Sequence, residues 1–277
     1  MLFQSSQIIF SSIFLLLFII GNSSQEDLNL TKSQKSKLEK FKHGVSNIKF
    51  PHEWMRDELN LLRYLRTRKW DEQRAKDMIT ETIKWWKASN MDNIHKEDWS
   101  SYEKDYPIYL DGVDKNGQPI FAYAIGEWDL RQAVVQGRLK GVIRWMFKRR
   151  DEIHAKVREL QRQGQINGTQ WNLVVNLDKF NSKQHLCAQC LRLYTDWVTT
   201  LEAHYPSSQD KIFVINSPST FQVVMNLIRP LLTPSTRNAI KILGTNMNEW
   251  SNTLFAEIAR DQLPEGFGGT RNYTLHF

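Results

Sequence analysis

Three side chains able to hold a metal or pass electrons fall within six residues, His185, Cys187 and Cys190 in QHLCAQC. Zinc would take such a set, but no second C-x-x-C or H-x₃-H completes four ligands. The remaining readings of Cys187 and Cys190 are a redox pair or two thiols packed along a helix, and the flanking apolar pattern is helical. These are the only cysteines, so no disulfide framework is expected. Residues 111–119, DGVDKNGQP, put Asp114, Asn116 and Gly117 at calcium-loop offsets. That register sets Gly112 at the first ligand position and Tyr123 at the twelfth, where a bidentate Glu is required. Asn116-Gly117 is better read as a tight turn entering a strand. GFGG at 266–269 follows no strand, and G-x-x-x-x-G-K-[ST], G-x-S-x-G and H-E-x-x-H are missing. Glu202 and Asp178 have no nucleophile to serve. No enzyme is expected, and neither metal nor cofactor.

The net charge of +7 is concentrated at 32–42, 63–69 and 148–150. Arg63, Arg66, Arg68 and Lys69, with Lys148, Arg149 and Arg150, are candidates for contact with phosphate on an anionic membrane. Solvated helix faces are the plainer reading of each cluster. Aromatic residues do not interleave with these runs in any nucleic-acid module, so nucleic acid is not expected as a partner.

These groups need a scaffold, and 277 residues with 41% hydrophobic content suffice for one domain of about 220 residues plus appendages. Residues 8–20, IIFSSIFLLLFII, are too short to span a bilayer but fit a secretory h-region, followed by small residues in GNSSQ. No Lys or Arg precedes the run, so residues 1–24 are either a signal peptide or a retained anchor. The first makes the protein secreted or lumenal; otherwise it is cytoplasmic and peripheral to membranes. N-x-S/T acceptors at Asn22, Asn29, Asn167 and Asn272 fit the first route.

Residues 25–53 form a polar lead-in. From Trp54 to Ala88 the apolar positions Leu59, Leu62, Leu65, Ala75, Met78, Ile79, Ile83 and Trp86 recur at helical spacing, broken at 69–71. Beyond about residue 100, strands at 119–125, 171–177 and 211–216 alternate with helices over 137–161 and 184–204, the pattern of a mostly parallel sheet with crossover helices. WNLVV and IFVI are apolar at successive positions, so both sheet faces must be covered. Residues 213–236, FVINSPSTFQVVMNLIRPLLTPST, then pose a problem of solvation. From Phe221 the apolar side chains sweep an arc of about 200°, where a core stripe needs little more than about 100°.

Five stretches in order, 61–87, 109–126, 171–186, 194–221 and 227–244, followed by LPEGFGG at 263–269, resemble the CRAL-TRIO (Sec14-like) lipid-binding family. The resemblance covers about residues 54–270 and is nearest to the animal Sec14-like proteins, without their GOLD domain. It implies an α/β fold with a small helical head over 54–100, a lipid-binding domain over 101–270 enclosing an apolar pocket, and a tail at 271–277. It further implies that 218–229 is a gate helix, whose surplus apolar arc faces lipid when closed and a membrane when open. One acyl chain of sixteen carbons would gain on the order of 10 kcal/mol there, at about 0.8 kcal/mol per CH₂.

Strand period two then predicts Trp171, Leu173, Val175, Phe213 and Ile215 on the pocket floor beside Phe121 and Tyr123, with Phe221, Val224, Met225 and Ile228 from the gate. Where phosphatidylinositol-binding members carry charge, this chain has Ser207, Ser208 and Ala239. The ligand implied is therefore a tocopherol, a retinoid, a sterol precursor or a phospholipid such as phosphatidylcholine. The expected function is lipid binding with transfer or presentation between membranes. The rival reading is a regulator or scaffold that senses bound lipid and signals to a protein partner.

Overall fold

A computed structural model describes residues 28–272. Residues 1–24, with their expected signal or anchor and Asn22, lie outside the described residues, as does most of the tail. The acceptors Asn29, Asn167 and Asn272 are exposed. Among the described residues no helix is long and apolar enough to cross a membrane.

Strands β1 (Ile120–Tyr123), β2 (Trp171–Asn176), β3 (Gln209–Ile215) and β4 (Ile240–Ile242) pair in parallel in the order β1-β2-β3-β4. Parallel neighbours cannot be joined by a tight turn. The links are α5 (Leu130–Val135) with α6 (Leu139–Arg162), then α7 (Ser182–His185) with α8 (Leu191–His204), then α9 (Gln222–Ile228) with α10 (Pro234–Ala239). Because the strand order never reverses, right-handed crossovers all fall on one face of the sheet. The opposite face is left to α11 (Met247–Glu257) and the end of the chain. There Ile120, Val174, Phe213 and Ile215 pack with Trp250 and Leu254.

Every residue of β2 and β3 is buried, as their unbroken apolar runs require. β4, three residues long, was not expected; so short an element leaves no readable period. The expected helix over 184–204 is two, parted at Leu186–Cys190, where Cys187 and Cys190 form a disulfide instead of packing as free thiols. The interruption brings their Cα atoms to 4.9 Å, and the Cys190 backbone N–H points at Cys187 Sγ from 3.1 Å.

The head consists of α1 (Lys32–Gly44), α2 (Glu58–Thr67) and α3 (Glu72–Ala88). Thr31 and Gln34 close a capping box at the start of α1, which buries Leu38 and Phe41 against Leu61, Leu65 and Ile79. The lead-in is thus part of the head's packing. The break between α2 and α3 is made by left-handed Lys69 and Trp70 and by Asp71, which caps the Arg74 N–H. A short helix, α4 (Ser100–Asp105), leads from the head toward the sheet.

The DKNG turn forms as expected, with Gly117 at φ 82° donating to the Asp114 carbonyl. Asp114 Oδ1 accepts from the backbone N–H groups of Asn116 and Gln118, and Oδ2 from Asn172, so this carboxylate serves the turn and β2. GFGG closes the chain end against its own backbone. Gly268 has φ 73°, and a Cβ on Gly269 would lie 2.0 Å from the Leu263 carbonyl oxygen.

Candidate functional site

An apolar cavity of about 690 Å³, measured out to its mouth, lies on the crossover face. Its floor is sheet: Tyr123 of β1, Leu173 and Val175 of β2, Ile212 and Val214 of β3, Ile240 of β4. Its wall is the inner stripe of α8, where Tyr194, Trp197, Val198 and Leu201 recur at helical spacing, joined by Met146 of α6. Its roof is Phe221, Val224, Met225 and Ile228, with Leu232 beyond. Among the described residues no charged side chain lines it.

Of the expected lining set, Tyr123, Leu173, Val175, Phe221, Val224, Met225 and Ile228 border the cavity. Phe121 and Trp171 are buried on the same face but one layer removed, their rings 5.4 Å apart, with Trp197 covering Phe121 at 5.7 Å. Phe213 and Ile215 face the other way, into the α11 layer, and their floor positions belong to Ile212 and Val214. The physical reason is a register shift between β2 and β3. Trp171 pairs with Gln209, but Leu173 pairs with Ile212, so β3 carries an extra residue and its parity changes. The stripe on α8 was missed although its spacing was legible.

The basic candidates separate into three environments. Arg63 is buried, and its Nε and Nη2 both donate to the Pro206 carbonyl at 2.9 and 2.8 Å, so it fastens the head to the end of α8. The run 148–150 is not a free basic face. The buried stripe of α6 passes through Val142, Met146, Ile153 and Val157, and Arg150 lies on it. Arg150 is fully buried, 3.7 Å from the Trp197 ring centroid, and donates Nη2 to the Trp197 carbonyl at 3.0 Å. Burial lowers its pKa to about 9. Lys148 and Arg149 share Glu152, and Arg149 also donates to the Ile108 carbonyl. Arg66 is half-buried, while Arg68 and Lys69 stand in solvent.

The segment over the cavity is a 3-10 turn at Ser219–Phe221, then α9, then a second 3-10 turn at Arg229–Leu231 holding Pro230. Its inner face closes the cavity. Its outer face shows Val223, Leu227 and Leu231 at 49%, 37% and 39% exposure, with Ile242 at 46%. Exposed Arg229, Arg237 and Lys241 belong to the same stretch of chain. The apolar surplus of 213–236 therefore divides between a cavity roof and a solvent-facing ridge.

The positions that carry charge in phosphatidylinositol binders offer none here. Ser207 exchanges a hydrogen bond with Thr67, Ser208 is buried with its hydroxyl unpartnered, and Ala239 is buried. Lys241 lies over the Phe213 ring, on the face away from the cavity. His185 is buried with Nε2 3.0 Å from the Ile125 carbonyl and its ring stacked on Phe180. Among the described residues no group of three His, Cys, Asp or Glu is placed to hold a metal.

The family model for the CRAL/TRIO domain matches residues 103–269, and that for the CRAL/TRIO N-terminal domain matches 37–81. The chain belongs to the CRAL/TRIO family. Its fold and its relatives are Sec14-like, and the family's members bind and transfer lipids. SEC14 cytosolic factor of Kluyveromyces lactis is 28% identical over 258 residues, covering 90% of this chain and 82% of that one. CRAL-TRIO domain-containing protein T23G5.2 of Caenorhabditis elegans is 26% identical over 217 residues, 77% of this chain but only 30% of that one. The solved structure of Sfh5 superposes with a TM-score of 0.66 at 13% identity, covering 88% of this chain and 89% of that one. At that identity the likeness is one of fold.

Proposed function

We propose that this CRAL/TRIO protein takes a lipid without net charge into the cavity beneath α9 and carries it between membranes, with no chemical reaction. The observation that carries this reading is the cavity's lining: sheet floor, α8 wall and α9 roof supply apolar surface and no charged side chain. A buried phosphate without a partner costs far more than a hydroxyl can return. A tocopherol, a retinoid or a sterol precursor satisfies that constraint; phosphatidylcholine brings a phosphate but also its own choline as counter-charge, which phosphatidylinositol lacks.

The same segment supplies the docking surface. Val223, Leu227 and Leu231 offer apolar insertion, and Arg229, Arg237 and Lys241 offer charge to an anionic headgroup layer. A juxtamembrane Lys or Arg contributes about 1 kcal/mol there. This replaces the 148–150 run as the membrane contact and leaves Arg68 and Lys69 as secondary candidates.

The test is transfer of a fluorescent sterol or phosphatidylcholine from donor to acceptor vesicles. Transfer should be catalytic in protein and fall with Leu227→Asp. Tight lipid binding with no transfer would favour the sensor-and-scaffold reading instead.

A further inference from the structure

Among the described residues no charged side chain lines the cavity, yet two lining side chains hold polar atoms without a partner among those residues, Tyr194 Oη and Gln209 Nε2. Both residues are buried, at 6% and 5% exposure. A donor removed from water and left unpaired is a standing cost, and such groups in folded proteins call for an explanation. A cavity shaped for hydrocarbon alone would gain from Phe and Leu at these places. Burial pushes the Tyr194 hydroxyl well above the ordinary phenol range, so it keeps its proton and can donate it to an acceptor.

The two groups stand toward opposite ends of the floor. Tyr194, in the first turn of α8, lines the cavity with Tyr123, the last residue of β1, in the row that contains Val175. Gln209 opens β3 beside Trp171, the first residue of β2. Those rows are four residues apart on β2, about 13 Å at the rise of a strand. Between them Leu173, Ile212 and Val198 supply only apolar surface.

We propose that Tyr194 and Gln209 are the specificity-determining polar contacts of the cavity, and that its ligand is an uncharged lipid bearing hydroxyl, carbonyl or ester oxygen, neither a pure hydrocarbon nor a phospholipid. The inference rests on the cavity being the lipid site. Each oxygen that accepts from one of these donors turns an unpaired buried group into a paired one. A ligand lacking them leaves that cost in place, so the discrimination falls on the oxygen atoms while most of the affinity comes from hydrocarbon.

Lipid-stripped protein would be equilibrated with phosphatidylcholine vesicles doped with cholesterol, diacylglycerol or squalane, and the lipid taken up measured by mass spectrometry. The wild-type chain is expected to take up cholesterol or diacylglycerol in preference to squalane and phosphatidylcholine. Tyr194→Phe or Gln209→Leu should weaken uptake of the oxygen-bearing probe about tenfold, as loss of one buried hydrogen bond does, and leave squalane unchanged. Loss in either variant supports the proposal. Because the Tyr194 hydroxyl has no hydrogen-bond partner among the described residues, lipid-free Tyr194→Phe should unfold at an unchanged or higher temperature, which separates binding from folding. Unchanged uptake in both variants overturns the proposal, as does a wild-type chain that takes up neither oxygen-bearing probe or prefers squalane. Val175→Trp fills the floor and reports on the cavity itself. If every probe survives Val175→Trp the cavity is not the lipid site. If Val175→Trp abolishes uptake while Tyr194→Phe and Gln209→Leu do nothing, only the present inference fails.

Discussion

Val175 of β2 and Val214 of β3 lie side by side in the parallel ladder, and both side chains face the cavity. One residue away, Phe213 faces α11. The two faces of one strand thus do different work, one packing a permanent core and the other meeting a ligand. Phe213→Ala should cost about 3–5 kcal/mol of stability by leaving a hole, without changing how much lipid the folded fraction carries. Urea unfolding paired with lipid quantification checks this; a loss of lipid parallel to the loss of stability would mean that both faces support the cavity.

Motion of the gate is expected to show in amide exchange. α9 is two turns long and ends at Ile228, giving way to the turn that holds Pro230, which lacks an N–H and cannot extend the ladder of helical bonds. Residues 222–232 should exchange faster than 211–215 and slow when lipid is added. Equal protection with and without lipid would identify α9 as a fixed wall.

Salt should slow transfer from anionic vesicles, since screening confines the attraction of Arg229, Arg237 and Lys241 to about 8 Å at physiological ionic strength. Arg229→Glu with Arg237→Glu should weaken vesicle binding. A salt-independent rate would leave insertion of Val223, Leu227 and Leu231 as the sole docking force.

Arg150 carries a different expectation. Among the described residues its guanidinium leaves Nε and Nη1 without partners and makes no ion pair with a carboxylate. Replacing buried charge with a well-packed apolar group is commonly neutral or stabilising by about 1–4 kcal/mol. Arg150→Met should therefore keep or raise the unfolding midpoint in urea. A loss of several kcal/mol would show that stacking on Trp197, Phe147 and Tyr205 outweighs desolvation.

Acid should loosen the head from the lipid domain. Burial, reinforced by Arg63, Arg158 and Arg150, holds His154 well below its usual range, and its Nε2 accepts from Trp171 Nε1 at 3.3 Å. Burial and Arg150 lower His204 to about 4, against a counteracting pull from Glu81; its ring stacks on Trp85 of the head. A histidine depressed in the folded state takes its proton more readily when unfolded. Stability is therefore complete above about pH 6.5 and falls as pH drops toward 4, by at most about 1.4 kcal/mol per pH unit for each group. The share from His204 is smaller, since it is only half-buried. His154→Gln should flatten the decline between pH 6.5 and 5. A midpoint that does not move over that range would contradict the account.

The fold was legible because its signals repeat: strands uniformly apolar, helices between them, and several segments in one family's order. The cavity was legible at α9, where the surplus arc of Val224, Met225 and Ile228 stood out against a core stripe. Strand parity on β3 was not, because IFVI is apolar at every position and a single extra residue between Gln209 and Ile212 exchanges the faces. Arg150 was misplaced for a related reason. A run of three basic residues reads as surface, but on a helix of 24 residues one of any three neighbours can fall on the inner stripe. That the polar atoms of Tyr194 and Gln209 are left unpaired carries no sequence signal, since only the closed cavity shows it.

The central claim is that the space beneath α9 holds a lipid without net charge. Its most direct test is the lipid recovered from purified protein by native mass spectrometry and extraction, comparing the wild-type chain with Val175→Trp. The wild type should carry close to one uncharged or zwitterionic lipid per chain, and Val175→Trp should carry none while unfolding at a similar temperature. Equal lipid on a folded Val175→Trp chain, or stoichiometric phosphatidylinositol on the wild type, would contradict it.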